Sequence, residues 1–288
     1  MALMHYKPSM MEEPLLHAEA DGGAQRRKFV RSLARGLEVL RAFRPGESIL
    51  GNQQIVSRTG LSKATVSRLT HTLTALGYLV YLPEQEKYQL GSAILALGYA
   101  ALSGLTICET ARPRMQRLAD AAGGSVALGN RDRLSMIYLQ HCRSNSNVTL
   151  RMDIGTRVPI AQTAMGRAFL MALPESERKI LLARIKAGAS RRWPEIEKSI
   201  KQAQRDYRAH GLCISLGDWQ REVWALGAPV VSWDGRAILA LNCCVPALGT
   251  SKTTFVEKTG RKLVALAAQL SRDLHGSGQF DWRPAHGS

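Results

Sequence analysis

Apolar residues recur at helical spacing in some stretches of this chain and in alternating or continuous runs in others. Their order predicts two modules. In residues 32–43, Leu33, Leu37, Leu40 and Phe43 share one helix face, and Pro45-Gly46 ends the helix. Residues 52–77 predict two short helices across a tight turn. Ile55 and Val56 give the first its apolar contacts, and Gly60 stops it where a left-handed residue is needed. Ser62 is a natural N-cap for the second, in which Val66, Leu69, Leu73 and Leu76 form one apolar stripe before Gly77 closes it. The opposite face carries Lys63, Thr65, Ser67, Arg68, Thr70, His71 and Thr72, with no acid among them. A helix-turn-helix whose second helix enters a DNA major groove needs this division, although an ordinary surface helical hairpin shares the apolar spacing. Residues 78–81 and 87–90 are β-prone runs around Glu84-Gln85-Glu86 and predict a hairpin wing that ends at Gly91.

Residues 92–103 are rich in Ala and Leu and apolar on more than one side through Ile94, Leu95, Leu97 and Tyr99. A helix apolar all round has to be covered, and its place between two modules predicts burial against a second copy. Beyond Gly104 the pattern alternates. A helix is expected over 111–122, with Met115, Leu118 and Ala122 inward, then strands over 125–130 and 134–141 around Arg131-Asp132, and a further strand over 148–152. Helices follow over 164–173, 175–185 and 194–210, then strands over 212–216, 223–231 and 237–245. The last two are joined at Asp234-Gly235, a tight-hairpin signal. A long helix over 254–274, with Val256, Leu263, Leu266, Leu270 and Leu274 inside, closes the module. The expectation is an α+β chain: an arm (1–25), a winged helix-turn-helix (30–91), a linker helix (92–104), an antiparallel sheet flanked by helices (105–275) and a tail (276–288).

Charge sharpens this picture. The chain of 288 residues carries a formal charge of +16. Between Arg26 and Arg68, ten Lys/Arg stand against two acids, Glu38 and Glu47, the electrostatic footprint of a nucleic-acid-binding module. Residues 101–288 hold 27 Lys/Arg against 15 Asp/Glu, which suits DNA, anionic small molecules or simply solvated surface. Cys108, Cys142, Cys213, Cys243 and Cys244 are odd in number and lack CxxC spacing, against a disulfide framework or a zinc site and in keeping with a reducing cytoplasm. The N-terminal residues do not read as a secretory signal, and no apolar run approaches the roughly 20 residues of a membrane span. No GxSxG, Walker, HExxH or dinucleotide motif is present, so neither catalysis nor a cofactor is indicated. A cysteine-based redox sensor is the livelier rival to ligand sensing. Adjacent strand residues point to opposite faces, however, so Cys243 and Cys244 cannot readily pair.

From about residue 32 to 274 the chain resembles the IclR family of bacterial transcriptional regulators. The marks are RSLARGLEVLRAF, GLSKATVSRLTHTLTALGYLVY, Tyr88-Gln89-Leu90-Gly91, Gly155 followed by Pro159, TAMGRAFLMAL, GAPVVSWDGR and LNCCVP, in that order. The resemblance implies a winged helix-turn-helix, a linker helix and a GAF/PAS-like effector domain, in homodimers or dimers of dimers that bind operator DNA under small-molecule control. DNA contacts are then expected from Ser62, Lys63, Thr65, Ser67, Arg68 and His71, with Arg31 and Arg35 on the basic approach. Motif matching puts the effector against Met165 and Gly166, with residues 215–218 (Ser215, Asp218) on the lip and Ala225, Asn242 and Cys244 on the strands. Family members that take small keto acids have hydroxyls at 242 and 244, a cysteine at 225 and an acid at 215. The departures here, with Trp219 and Trp224 nearby, point to a bulkier or aromatic carboxylate controlling a catabolic operon.

Overall fold

The structure, a computed structural model, describes residues 29–145, 152–235 and 238–274. They divide into two compact units between Gly104 and Leu105. The first contains α1 (Arg31–Arg41), β1 (Ile49–Gly51), α2 (Asn52–Thr59), α3 (Lys63–Ala75), β2 (Leu79–Leu82), β3 (Lys87–Leu90) and α4 (Ser92–Ser103).

Local chemistry builds the helical turn. Gly60 adopts φ +69° and its N–H bonds the Val56 carbonyl, ending α2. Two residues on, the Ser62 hydroxyl accepts from the Thr65 N–H and starts α3. At the far end, Tyr78 N–H reaches the Leu73 carbonyl and Gly77 N–H that of Thr74, a Schellman closure with Gly77 at φ +76°. Val39, Phe43, Leu50, Ile55, Val66 and Leu79 make the core of this unit.

Three expectations are corrected here. Leu33 and Leu37 are 62% and 51% exposed, because α1 turns the neighbouring set inward instead, with Val39 and Phe43 buried and Gly36 and Leu40 half-buried. Gly36 comes within van der Waals reach of Leu69, so this face of α1 is turned toward α3. Leu76 lies past the last turn of α3 and is exposed, while Thr70 leaves the polar face to be buried, its hydroxyl donating to the Val66 carbonyl. The wing also gains a third strand, β1, in the order β1-β3-β2. No residue of α4 is buried.

The second unit contains α5 (Thr106–Ala122), β4 (Ser125–Asp132), β5 (Ser135–Arg143), β6 (Arg157–Pro159), α6 (Ala164–Ala172), α7 (Glu175–Ala189), α8 (Trp193–His210), β7 (Cys213–Leu216), β8 (Val223–Val231), β9 (Ile238–Pro246) and α9 (Gly260–Asp273). Its strands form one antiparallel sheet in the order β6-β5-β4-β9-β8-β7. α5 and α9 pack against this sheet, while α6 packs on β8 and β9 and α8 on β7. The expected strand over 148–152 falls almost wholly outside the described residues. Asp234-Gly235 sits in a turn, but the ladder closes at Val231↔Ile238, so the connection is longer than a two-residue hairpin. In the closing helix Phe255 is buried in a π-type turn and Val256 only half-buried, the extra residue of that turn having rotated the face.

The contact that sets this unit's geometry is backbone on backbone. A Cβ at Gly227 would lie 2.2 Å from the Ala164 carbonyl oxygen, and one at Gly166 would lie 2.0 Å from that of Ile160. Neither neighbour is a flexible side-chain end, so α6 has to lift from β8 to admit any larger residue. Gly227→Val is therefore expected to lower stability by at least about 1–3 kcal/mol through overpacking. Thermal unfolding followed by circular dichroism, beside an exposed-glycine control such as Gly98→Ala, checks this.

Candidate functional site

Two surfaces hold the residues singled out by sequence. On the first unit, Ser62, Lys63, Ser67, Arg68 and His71 are exposed along α3, with Thr65 half-buried. The Thr65 hydroxyl lies 2.9 Å from that of Ser62, at the capped start of the helix. Arg31 and Arg35 are exposed on α1. α2 is held in place by Arg58, which donates to the Ala42 carbonyl at 2.8 Å and to Glu47 at 2.7 Å, so this arginine tethers the turn and is not spare charge for a ligand.

On the second unit the sheet register brings most of the other set together. Ser215, Ala225, Cys244 and Ser125 are direct partners across β7, β8, β9 and β4, and the row ends at Arg143 on β5. The next row is Cys213, Gly227, Asn242, Ala127 and His141. Directly opposed strand residues share a face, as do residues two apart, so Asn242 and Cys244 point the same way. Met165 and Gly166 are buried on α6 above this face, and Thr163 caps that helix by accepting from the Gly166 N–H. The floor is small: Ala127, Gly227, Ala225 and Cys244. Ala225 is only half-buried.

Asn242 is already satisfied. Its Oδ1 accepts from the Ala127 N–H at 3.2 Å, and its Nδ2 donates to Tyr138 Oη at 3.2 Å and Cys244 Sγ at 3.1 Å. It braces the floor, and a ligand would meet it only by displacing one of these bonds. Asp218 is likewise engaged, accepting from the buried Arg167 guanidinium.

Four residues that sequence reasoning passed over belong to this region. Tyr138 and His141 stack with centroids 5.7 Å apart, and Arg143 Nε donates to His141 Nδ1 at 3.3 Å. Arg143 also holds the Met152 carbonyl at 2.6 Å and pairs with Asp153. The fourth is Arg167. His141 was legible as a strand-end residue of the 125–141 hairpin, but nothing local marks its neighbours. Its pKa is pushed down to about 4, first by burial and then by the Arg143 charge, with Asp153 opposing.

All five cysteines are buried free thiols. Burial pushes Cys108 up to about 11 and Cys213 and Cys244 up to about 12, and raises Cys142 and Cys243 as well. Cys243 pairs with Leu226 and Cys244 with Ala225 across β8, on opposite faces of the sheet. Protonated, dry thiols are poor nucleophiles, which weakens the redox reading. Among the described residues no group of His, Cys, Asp and Glu is placed to hold a metal, and no single helix is long and apolar enough to cross a membrane.

Comparison with known proteins places both surfaces in context. Residues 32–83 match the family model described as the IclR helix-turn-helix domain, and residues 99–272 match that of the bacterial transcriptional regulator IclR C-terminal region. The HTH-type transcriptional regulator TsaQ1/TsaQ2 of Comamonas testosteroni is 39% identical over 70% of this chain and 73% of its own length. The Pca regulon regulatory protein of Pseudomonas putida is 27% identical over 86% and 85%. A crystal structure of an IclR family transcriptional regulator from Brucella abortus aligns with TM-score 0.83 and 42% identity, over 93% of this chain and 99% of that one.

The depressed His141 pKa has a defined stability consequence. In the unfolded chain the imidazole takes a proton near its ordinary 6.5, in the folded chain only near 4. Falling pH therefore favours unfolding across that interval: the stabilisation is intact above about 6.5 and lost as pH approaches 4. Urea unfolding at pH 7.5 and at pH 4.5 should show a larger drop for the wild type than for His141→Gln, and equal drops would contradict the neutral, buried imidazole.

Proposed function

The chain belongs to the IclR family of bacterial transcriptional regulators, and from that premise we propose that it is a cytoplasmic, homodimeric regulator that binds its operator through α3 and answers to an organic acid. That it is a transcriptional regulator with a helix-turn-helix and an effector-binding domain follows from the family. The relatives above are named as regulators of transcription or of a regulon.

The single observation that carries the operator reading is α3 itself. A serine-capped helix presents Lys63, Ser67, Arg68 and His71 to solvent, without an acid, on a core-anchored scaffold. Residues 30–91 take the DNA, 92–104 link, and 105–275 take the effector. Arg68 reads base edges, and Lys63 and the hydroxyls of Ser62, Thr65 and Ser67 position the helix. Arg31 and Arg35 meet phosphates, with a salt-dependent contribution common to all sequences.

The effector reading rests on the sheet rows. Ser215, Ala225 and Cys244 form a small, partly open floor beside the α6 N-terminus, whose helix dipole favours an anion. With only small side chains at Ser215, Ala225 and Cys244, the preferred class is an aromatic or comparably bulky carboxylate of a catabolic operon, with Met165 and Gly166 on the helix beside it. Dimerisation rests on α4, where Leu95 and Tyr99 are 75% and 72% exposed and Leu97 is exposed beside them. A second copy covers this helix, and effector domains are left to pair dimers into tetramers.

Operator fragments selected in vitro from random duplex DNA test the reading. Two-fold related half-sites are expected, about one helical turn or a multiple apart. Arg68→Ala should cost on the order of 1–3 kcal/mol on the selected site and little on random DNA. Unchanged affinity would remove Arg68 from the base-reading face. Separately, Leu97→Lys should shift the protein to monomers in sedimentation at micromolar concentration, and a wild-type monomer there would overturn the dimer.

A further inference from the structure

The ion pair between Arg167 and Asp218 is unequal, and the inequality suggests a use. The Arg167 side chain is 3% exposed, whereas that of Asp218 is 35% exposed. The cation is fixed independently of its acid: Nε donates to the Ala161 carbonyl at 3.0 Å, and Nη1 reaches the Ile214 carbonyl at 3.5 Å on β7. The acid stands on the connection between β7 and β8, which is tied by Gly217 N–H to the Val223 carbonyl and by Val223 N–H to the Gln220 carbonyl. That connection is imperfectly satisfied, because Gln220 Oε1 is buried without a hydrogen-bond partner. Ile214 and Asp218 bracket Ser215, so the guanidinium sits beside the first floor row, and that row carries no acid of its own.

A buried guanidinium has to keep an anion beside it, since an unpaired charge in such a place costs far more than the pair returns. Nothing requires the anion to be Asp218. We propose that Arg167 is the anion-binding group of the effector cup and that Asp218 is its built-in substitute. An entering organic carboxylate takes the guanidinium by exchange, and the Asp218 carboxylate swings out to water. The exchange is charge-neutral at Arg167, so the buried cation is never left bare. It also releases the 217–222 connection, which makes that segment the first part of the chain to register the ligand. This rests on the effector reading above and adds to it the carboxylate class and the group that recognises it.

The test uses full-length protein with acetate, benzoate and 4-hydroxybenzoate, each beside its primary amide. Binding is measured by calorimetry, and hydrogen exchange is followed in peptides spanning 216–223. At least one acid, and not its amide, should bind and speed exchange in that segment. Because Asp218 competes for the same group, Asp218→Asn should bind that acid about threefold or more tighter. Were the pair merely structural, the same change would leave binding unchanged or weaken it, and either result overturns the proposal. Arg167→Gln should abolish the preference for acid over amide; if that variant does not fold, the direction of the Asp218→Asn effect decides alone. No acid of the panel altering exchange at 216–223 also overturns it. Failure of the regulator reading looks different: the acid would bind and loosen the segment while operator binding stayed unmoved.

Discussion

The close approach of α6 to the sheet is the constraint on which the second unit depends. Helix and strand meet there through peptide groups, Ala164 against Gly227, and the helix meets its own lead-in likewise, Gly166 against Ile160, because neither glycine has a side chain to hold them apart. Such a contact gains little apolar area, but it fixes where the helix begins to within the tolerance of a peptide plane. Everything in the cup is measured from that point. The Thr163 cap, the buried Met165 and the floor row of Ser215, Ala225 and Cys244 acquire their mutual placement from it. A looser, side-chain-mediated packing would seal the core equally well and leave the helix terminus free to slide.

Burying α6 so deeply has an electrostatic consequence. Every residue from Ala164 to Met171 is buried, Arg167 included. An arginine in that run cannot reach bulk water, so it needs carbonyls and an acid, and it finds Ala161, Ile214 and Asp218. The resulting polar knot lies between α6 and the connection from β7 to β8. On the other side of the cup a second arginine plays a comparable part in the open: Arg143 gathers His141, the Met152 carbonyl and Asp153 at the end of β5. Each end of the floor thus holds an arginine in an ion pair, Arg167 with Asp218 and Arg143 with Asp153, and its middle is small and uncharged.

Elements whose rules are local were legible in the sequence. Gly60, Ser62 and Gly77 announced the helix-turn-helix, and the structure uses each for the capping role its chemistry suggested. Strands followed from alternation and β-branched runs, except where they were short: β1 of the wing and β6 of the six-stranded sheet have three residues each, too few for a period. The face of α1 was misjudged because apolar counting gives glycine no weight, and Gly36 lies on the side that approaches Leu69. Arg167 was missed for a related reason. In sequence it reads as one polar residue interrupting a helix, and its burial arises from strand pairings dozens of residues away. The same distance hid Tyr138, His141 and Arg143, which join Asn242 and Cys244 only through the register of β4 between them.

The misjudged face of α1 also clarifies how the first unit can serve two partners at once. At about 100° per residue, Gly36, Val39, Leu40 and Phe43 centre on one direction around the helix axis. Arg31 and Arg35 then fall to one side of that core-facing direction, and Leu33 and Leu37 to the other, on the order of 200° away from the arginines. The helix therefore has three faces with three chemistries: apolar and buried, basic and exposed, apolar and exposed. A surface that served DNA alone would gain nothing from exposed leucines, which cost solvation without attracting phosphate. Leucines exposed on α1 together with those of α4 leave the unit with uncovered apolar surface, which is the surface that the dimer proposed above would cover. Because the basic and apolar flanks belong to one helix, covering the leucines by a two-fold partner, as proposed above, would also orient the arginines. In that proposal one element sets both assembly and operator geometry, and a change in how the leucine flanks pack would alter the spacing of the two α3 helices without touching any residue proposed to meet DNA.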